Sequence, residues 1–204
     1  MNKKISKNIP IFVDLDGTLI STDILIEQII LFLKKNPLNF LIIIKWLFIS
    51  IANLKYEISK FVEIKIENLP YNKELILWLN LQKKQGNKIF LCTASNIKIA
   101  EKINDHLNLF DDVVGSDQFL NLKGKEKLKK IYELSNNSPF CYAGDSKPDI
   151  EVWEKAKYAV LVNVTRETMK KVSVNSDVIS CFNKKKINLK IIFKMLRVHQ
   201  WLKN

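Results

Sequence analysis

Two aspartates one residue apart, Asp14 and Asp16, close an apolar run, and Gly17 and Thr18 come directly after them. Residues 9–13 have the β-branched, apolar character of a buried strand, and Gly17 permits the sharp turn that exposes the residues just after it. Both carboxylates then project from one strand end. Carboxylates that close repel each other and require a cation beside or between them. A second acidic pair has a similar setting. Phe140-Cys141-Tyr142-Ala143-Gly144 predicts a strand ending at a glycine turn, with Asp145 in the turn and Asp149 four residues later. Oxygen ligands at strand ends suit magnesium, which keeps several waters and takes one or two protein carboxylates.

Between these pairs lie two groups suited to an anion. Thr93 ends the apolar run 88–92, where its hydroxyl can donate to a phosphate oxygen without adding charge. A helix starting near Asn96 would turn its positive end toward the same anion. Lys123, Lys125 and Lys127 cluster about Gly124 near the start of a helix, with Lys127 expected on a solvated face.

Asp14-Leu15-Asp16-Gly17-Thr18, Thr93, Lys123 and Gly144-Asp145-Ser146-Lys147-Pro148-Asp149 resemble, in order, the four motifs of the haloacid dehalogenase (HAD) superfamily. The resemblance implies that Asp14 is a nucleophile accepting a phosphoryl group and Asp16 a general acid and base. An Asp at position 16 is similar to the phosphatase and phosphomutase branches, whereas ion-pumping relatives carry Thr there. The resemblance further implies Mg²⁺ held by Asp14, the backbone carbonyl of Asp16 and Asp145, with Asp149 at the edge of the site. Thr93 and Lys123 would neutralise the transferring group, and Thr18 would position the phosphoryl group or Asp16. The implied fold is α/β, a three-layer doubly wound parallel sheet in order 5-4-1-2-3, with a helical cap after the first strand.

The elements that must position these residues can be read from capping and periodicity. Thr22 or Asp23 predicts the start of a helix running to about Lys35, and Pro37 suits the first turn of another. Residues 38–52 are apolar except for Asn39, Lys45 and Ser50. That run is too short and too charged for a bilayer core, which takes about 20 residues. A buried helix is the expectation, and an interfacial helix anchored by Phe40, Trp46 and Phe48 is the alternative. One or two charged amphipathic helices occupy 55–69, then come a surface helix 74–85 with Gly86 as its cap, and strands 88–92, 112–116 and 158–164. These give a HAD-like core over 1–20 and 72–182, a helical cap over 21–71, and a basic tail over 183–204.

The chain of 204 residues, 47% hydrophobic, can bury a substantial single core. Met1 to Asn8 is polar and has no signal-peptide character, and Cys92, Cys141 and Cys181 are odd in number without zinc spacing. Reduced thiols and a cytoplasmic location are therefore expected. The net charge of +12 accompanies a bias toward Lys, Ile and Asn, and no nucleic-acid-binding pattern accompanies it. After Asp177 there is no acidic residue. On a helical wheel Lys186, Lys190, Lys194 and Arg197 share one face and Ile191, Ile192, Met195 and Leu202 the other, as in a basic helix on an anionic membrane. Residues 196–204 resemble the opening of UbiA-type polyprenyl transferases, with Val198 where Pro is usual.

Together these features predict a Mg²⁺-dependent phosphomonoester hydrolase at the cytoplasmic face of a membrane. A polyprenyl-linked phosphosugar is its expected substrate, and a UbiA-type transferase its fused or coupled partner. The alternatives are a soluble enzyme similar to phosphoserine phosphatase that acts on a small metabolite, and a non-catalytic HAD module that docks a membrane transferase.

Overall fold

In a computed structural model, which describes residues 5–117 and 120–183, three central residues, β1 (Ile11–Val13), are wholly buried and organise the sheet. A helical excursion comes next: α1 (Ile24–Lys35), α2 (Phe40–Ile49) and α3 (Ile51–Phe61). The chain then alternates: α4 (Lys73–Lys84), β2 (Ile89–Asn96), α5 (Ile97–Leu107), β3 (Asp112–Ser116), α6 (Lys125–Ser135), β4 (Cys141–Gly144), α7 (Ile150–Trp153), β5 (Tyr158–Val162), α8 (Arg166–Asn175) and β6 (Asp177–Phe182).

The six strands are parallel in the order β3-β2-β1-β4-β5-β6. This agrees with the expected three-layer doubly wound sheet, extended by a sixth strand at the β5 edge. Alternate residues of a strand face opposite ways, so each strand feeds two cores. Ile11 and Val13 join Ile89, Leu91, Ala143 and Val160 beneath α4 and α5. Phe12 joins Phe90, Phe140 and Tyr142 beneath α6, α7 and α8. Phe12 stacks on Phe90 with ring centroids 4.9 Å apart and meets Phe140 edge-on at 5.9 Å. A strand covered on both faces has to be apolar throughout, which is why β1, β4 and β5 read as unbroken hydrophobic runs.

The excursion after β1 has a small core of its own. Asp23 caps α1 by accepting from Leu25 and Ile26 N–H, and Ser50 caps α3 by accepting from Asn53 N–H. Ser50 thus breaks the apolar run into two helices. Phe32, Ile43, Trp46, Leu54, Ile58 and Val62 form the buried cluster, with Trp46 stacked between Phe32 and Phe61. Two expectations are corrected. Only Ile43 and Trp46 of α2 are buried, so the helix is mostly uncovered. Trp46 belongs to the helices' own core and is not an outward anchor, because its ring fills the gap between α1 and α3.

The strand β6 adds to the expected elements. Its burial alternates weakly, with Ile179 its one buried residue, as suits an edge strand. Cys92 and Cys141 are buried and Cys181 exposed, all as free thiols. The wheel formed by Lys186, Lys190, Lys194 and Arg197 opposite Ile191, Ile192, Met195 and Leu202, and the transferase-like residues 196–204, lie outside the described residues. Among the described residues no helix is long and apolar enough to cross a membrane.

Candidate active site

Parallel pairing of β1 with β2 and β4 gathers three strand ends at the crevice where open α/β sheets bind ligands. Asp14 comes directly after β1, and its N–H donates to the Ala143 carbonyl of β4 at 2.9 Å. Asp145 comes directly after β4. Gly17 has φ +75°, a conformation that L side chains rarely adopt, and a Cβ there would run into the Asp145 carboxylate. Beyond Asp145 a tight 3-10 turn, Lys147–Asp149, is closed by a capping box. Asp149 Oδ2 accepts from Asp145 N–H, Ser146 N–H and Ser146 Oγ–H.

Lys127 stands at the centre, 3% exposed. Its Nζ donates to Asp14 Oδ1 at 2.8 Å and to the Tyr142 hydroxyl at 2.9 Å, and lies 3.6 Å from Asp149 Oδ1. The Tyr142 hydroxyl in turn donates to Asp149 Oδ1 at 2.6 Å. The expectation of Lys127 on a solvated face is therefore corrected. It shares the inward stripe of α6 with Ile131 and Ser135, at steps of four. Lys123 precedes that helix, is exposed, and lines the cavity without reaching Asp14.

Asp16 occupies a distinct position. Its Oδ1 accepts from Ile24 N–H at 2.8 Å, at the start of α1, and its Oδ2 from Ser95 Oγ–H at 2.5 Å. Burial raises its pKa above the usual carboxylate range, against the pull of those two donors. Thr93 is fully buried, and its hydroxyl accepts from Ser95 N–H at 2.9 Å, which fixes the turn carrying Ser95. Thr18, also buried, donates to Asp145 Oδ1 at 3.4 Å rather than to Asp16. Lys55 reaches in from α3 and donates to the Ala94 carbonyl at 2.7 Å. It lines the same cavity of about 400 Å³ as Asp14, Asp16 and Asp145.

The electrostatics are those of a site short of positive charge. Burial raises Asp14 to about 7 despite Lys127, and raises Asp145 to about 6 with the Asp149 carboxylate adding to the effect. Burial alone would lower Lys127, but Asp14 and Asp149 hold it above the ordinary lysine value. One ammonium thus stays charged between two carboxylates, while those carboxylates together want more positive charge than it brings. Oxygens of Asp14, Asp145 and Asp149 lie within 4.8 Å of one another. Asp149 spends both of its oxygens on Tyr142 and the capping box, whereas Asp14 Oδ2 and Asp145 Oδ2 have no protein donor among the described residues. This all-oxygen set fits a hard divalent cation.

These shifts make stability depend on pH. Between the unfolded carboxylate value near 3.8 and the folded values of about 6 and 7, the native state binds more protons than the unfolded chain. These two groups therefore make cation-free protein less stable as pH rises across that window. A divalent cation competes with those protons. Saturating Mg²⁺ is expected to raise Tm by roughly 5–10 °C at about pH 8 and by much less at about pH 5. Thermal melts with Mg²⁺ and with EDTA check this, and an equal Mg²⁺ effect at both pH values would contradict it.

Comparison with known proteins supports the fold. The chain is 34% identical over 199 residues to y4nM, an uncharacterized protein of Sinorhizobium fredii, with 97% of this chain and 38% of that protein aligned. The chain thus spans well under half of that relative's length. No protein-family model matches it. A HAD family hydrolase from Salmonella enterica serovar Typhi superposes with TM-score 0.63 at 10% identity, covering 94% of this chain and 72% of the other. A phosphoserine phosphatase structure, an analogue of its phospho-aspartyl intermediate, gives 0.58 at 16% identity, covering 93% and 99%. The chain has the HAD fold. A HAD-like hydrolase from Streptococcus pneumoniae adds a further superposition, 0.55 at 13% identity over 92% of this chain and 98% of the other. Asp14 and Asp145 sit at the ends of the two central strands, with Lys127 hydrogen-bonded to Asp14.

Sequence reasoning missed Ser95, Tyr142, Lys55 and the inward position of Lys127. The stripe shared by Lys127 and Ile131 was a usable signal. Ser95 and Lys55 bond to partners 79 and 39 residues away, and Tyr142 reads as an ordinary buried strand residue although its acceptor Asp149 is seven residues on.

Proposed function

We propose that this chain is a Mg²⁺-dependent phosphomonoester hydrolase working through an aspartyl-phosphate on Asp14. The observation that carries this is Asp14 paired with buried Lys127 and facing Asp145, with Asp16 held separately by Ser95 and Ile24. Asp14 attacks phosphorus as the bond to the leaving oxygen breaks, and the Lys127 ammonium offsets the charge gathering on nucleophile and phosphoryl group. Asp16, whose protonated form burial favours, gives its proton to the leaving oxygen. As a carboxylate it then takes a proton from water, which attacks the phosphorus and frees Asp14. Asp14, Asp145 and the Asp16 carbonyl would hold Mg²⁺, with Asp149 bracing the loop, and the cation supplies charge neutralisation to the phosphoryl oxygens. Thr93 and Thr18 act as supports, through Ser95 and Asp145. Lys123 lies close enough to meet an outer part of the substrate.

The substrate we favour is a polyprenyl-linked phosphosugar, with the chain coupled to a UbiA-type prenyltransferase through residues 184–204. Support comes from the transferase-like tail sequence, the greater length of the y4nM relative and the uncovered apolar surface of α2. Lys55, projecting from α3 into the cavity, offers a second cation for a substrate with two phosphates. A soluble small-metabolite phosphatase is the alternative, favoured by superposition on phosphoserine phosphatase over nearly the whole of both chains.

Phosphate release from a panel containing a polyprenyl-phosphoryl phosphosugar, sugar phosphates and phosphoserine decides between them. EDTA-sensitive release, fastest with the lipid-linked compound, is expected. Preference for phosphoserine would favour the alternative, and no release from any phosphomonoester would overturn the hydrolase assignment.

A further inference from the structure

A helix that is apolar over most of its circumference, as α2 is apart from Lys45, is normally buried in a protein core or in lipid. Only one stripe of α2, Ile43 and Trp46, meets the cluster formed by α1 and α3. The rest is uncovered: Leu41 is 57% exposed, Ile49 66% and Phe48 87%, and Leu38 in the preceding turn is 66% exposed. Large apolar side chains so concentrated mark an interaction surface rather than scattered surface hydrophobes.

Charge indicates the occupant. Between Glu27 and Glu57 there is no acidic residue, while Lys34, Lys35, Lys45 and Lys55 all fall there. Lys34 and Lys45 are exposed, and Lys45 lies on α2 itself. A second copy of this surface would bring like charges together. An anionic bilayer suits both features: its acyl boundary accepts apolar side chains to a depth of about 5–10 Å, and its headgroups accept lysines that extend their ammonium outward. The helix has 10 residues, which is about 15 Å, half of a hydrocarbon core near 30 Å. It can lie in the interface but cannot cross.

We propose that α2 and the turn before it form a lipid-docking surface that seats the helical segment α1–α3 on an anionic membrane. Phe48, Leu41 and Ile49 enter the acyl boundary, and Lys34 and Lys45 meet the headgroups. The surface is independent of which phosphomonoester is cleaved and does not rest on the hydrolase assignment.

Flotation of the full chain with phosphatidylcholine vesicles, with and without phosphatidylserine, tests this. The chain is expected to float with the anionic vesicles, and part of the binding should survive high salt, because the apolar contribution is not screened. Phe48→Asp should lower partitioning at least ~10-fold, from the loss of one large buried side chain and the arrival of a charge. Its far-ultraviolet circular dichroism and turnover of a soluble phosphomonoester should be unchanged, since Phe48 already faces outward. Three results would overturn the proposal. One is absence of vesicle binding. Another is binding that Phe48→Asp leaves unaltered, which would assign attachment to residues 184–204. The last is a concentration-dependent dimer abolished by Phe48→Asp without vesicle binding, which would assign the surface to a second copy.

Discussion

Asp14→Asn is expected to lower phosphomonoester turnover by about 10⁴-fold or more while the protein stays folded. An amide is a poor nucleophile toward phosphorus, and no neighbouring group can replace it. Asp145 belongs to another strand end, and Asp149 has both oxygens committed. Folding should survive because Asn keeps the shape of Asp and removes one of the carboxylates competing for Lys127. Asp16→Asn should behave differently. With an aryl phosphate, whose leaving oxygen needs little protonation, the enzyme should still be phosphorylated and then stall, since Asp16 also takes the proton from water. Single-turnover phosphate release and phosphoenzyme trapping measure both effects. Steady turnover by Asp14→Asn would remove it from the chemistry, and unslowed dephosphorylation in Asp16→Asn would remove Asp16 as the base.

Lys127→Ala is the second large effect, and Lys123→Ala is its comparison. Loss of Lys127 leaves Asp14 and Asp149 buried against each other without their ammonium. Breaking such a buried pair costs about 3–5 kcal/mol of stability. Turnover should fall ~10²–10³-fold, as for loss of one preorganised charge-stabilising donor. Lys123 is exposed and has no ion pair with the acidic cluster. Its removal should change turnover by no more than about fivefold. Denaturant melts alongside kcat and KM separate the two contributions, and added Mg²⁺ should restore part of the lost stability in Lys127→Ala by supplying the missing positive charge. A larger kinetic loss in Lys123→Ala than in Lys127→Ala would reverse the assignment of the central cation.

The sequence by itself determined the doubly wound sheet, the acidic strand ends and the helical excursion between β1 and β2. Each of these is written in local pattern. Buried parallel strands must be apolar on both faces, so Ile11–Val13 and Cys141–Gly144 stand out, and Gly17 and Gly144 mark turns that carry carboxylates. Asp23, Asn96 and Thr165 cap their helices through bonds spanning two or three residues. Only the tertiary structure decided which lysine meets Asp14, what holds Asp16, and what α2 packs against. The Lys127 to Asp14 bond spans 113 residues and the Ser95 to Asp16 bond 79, so although its stripe with Ile131 marks Lys127 as inward, nothing local names either partner. Composition likewise made α2 look like a core helix, because the sequence records how apolar a helix is but not how much protein remains to cover it. With α1 and α3 supplying one covering face, Ile43 and Trp46 are buried, and Phe48 is left outward for another surface to meet.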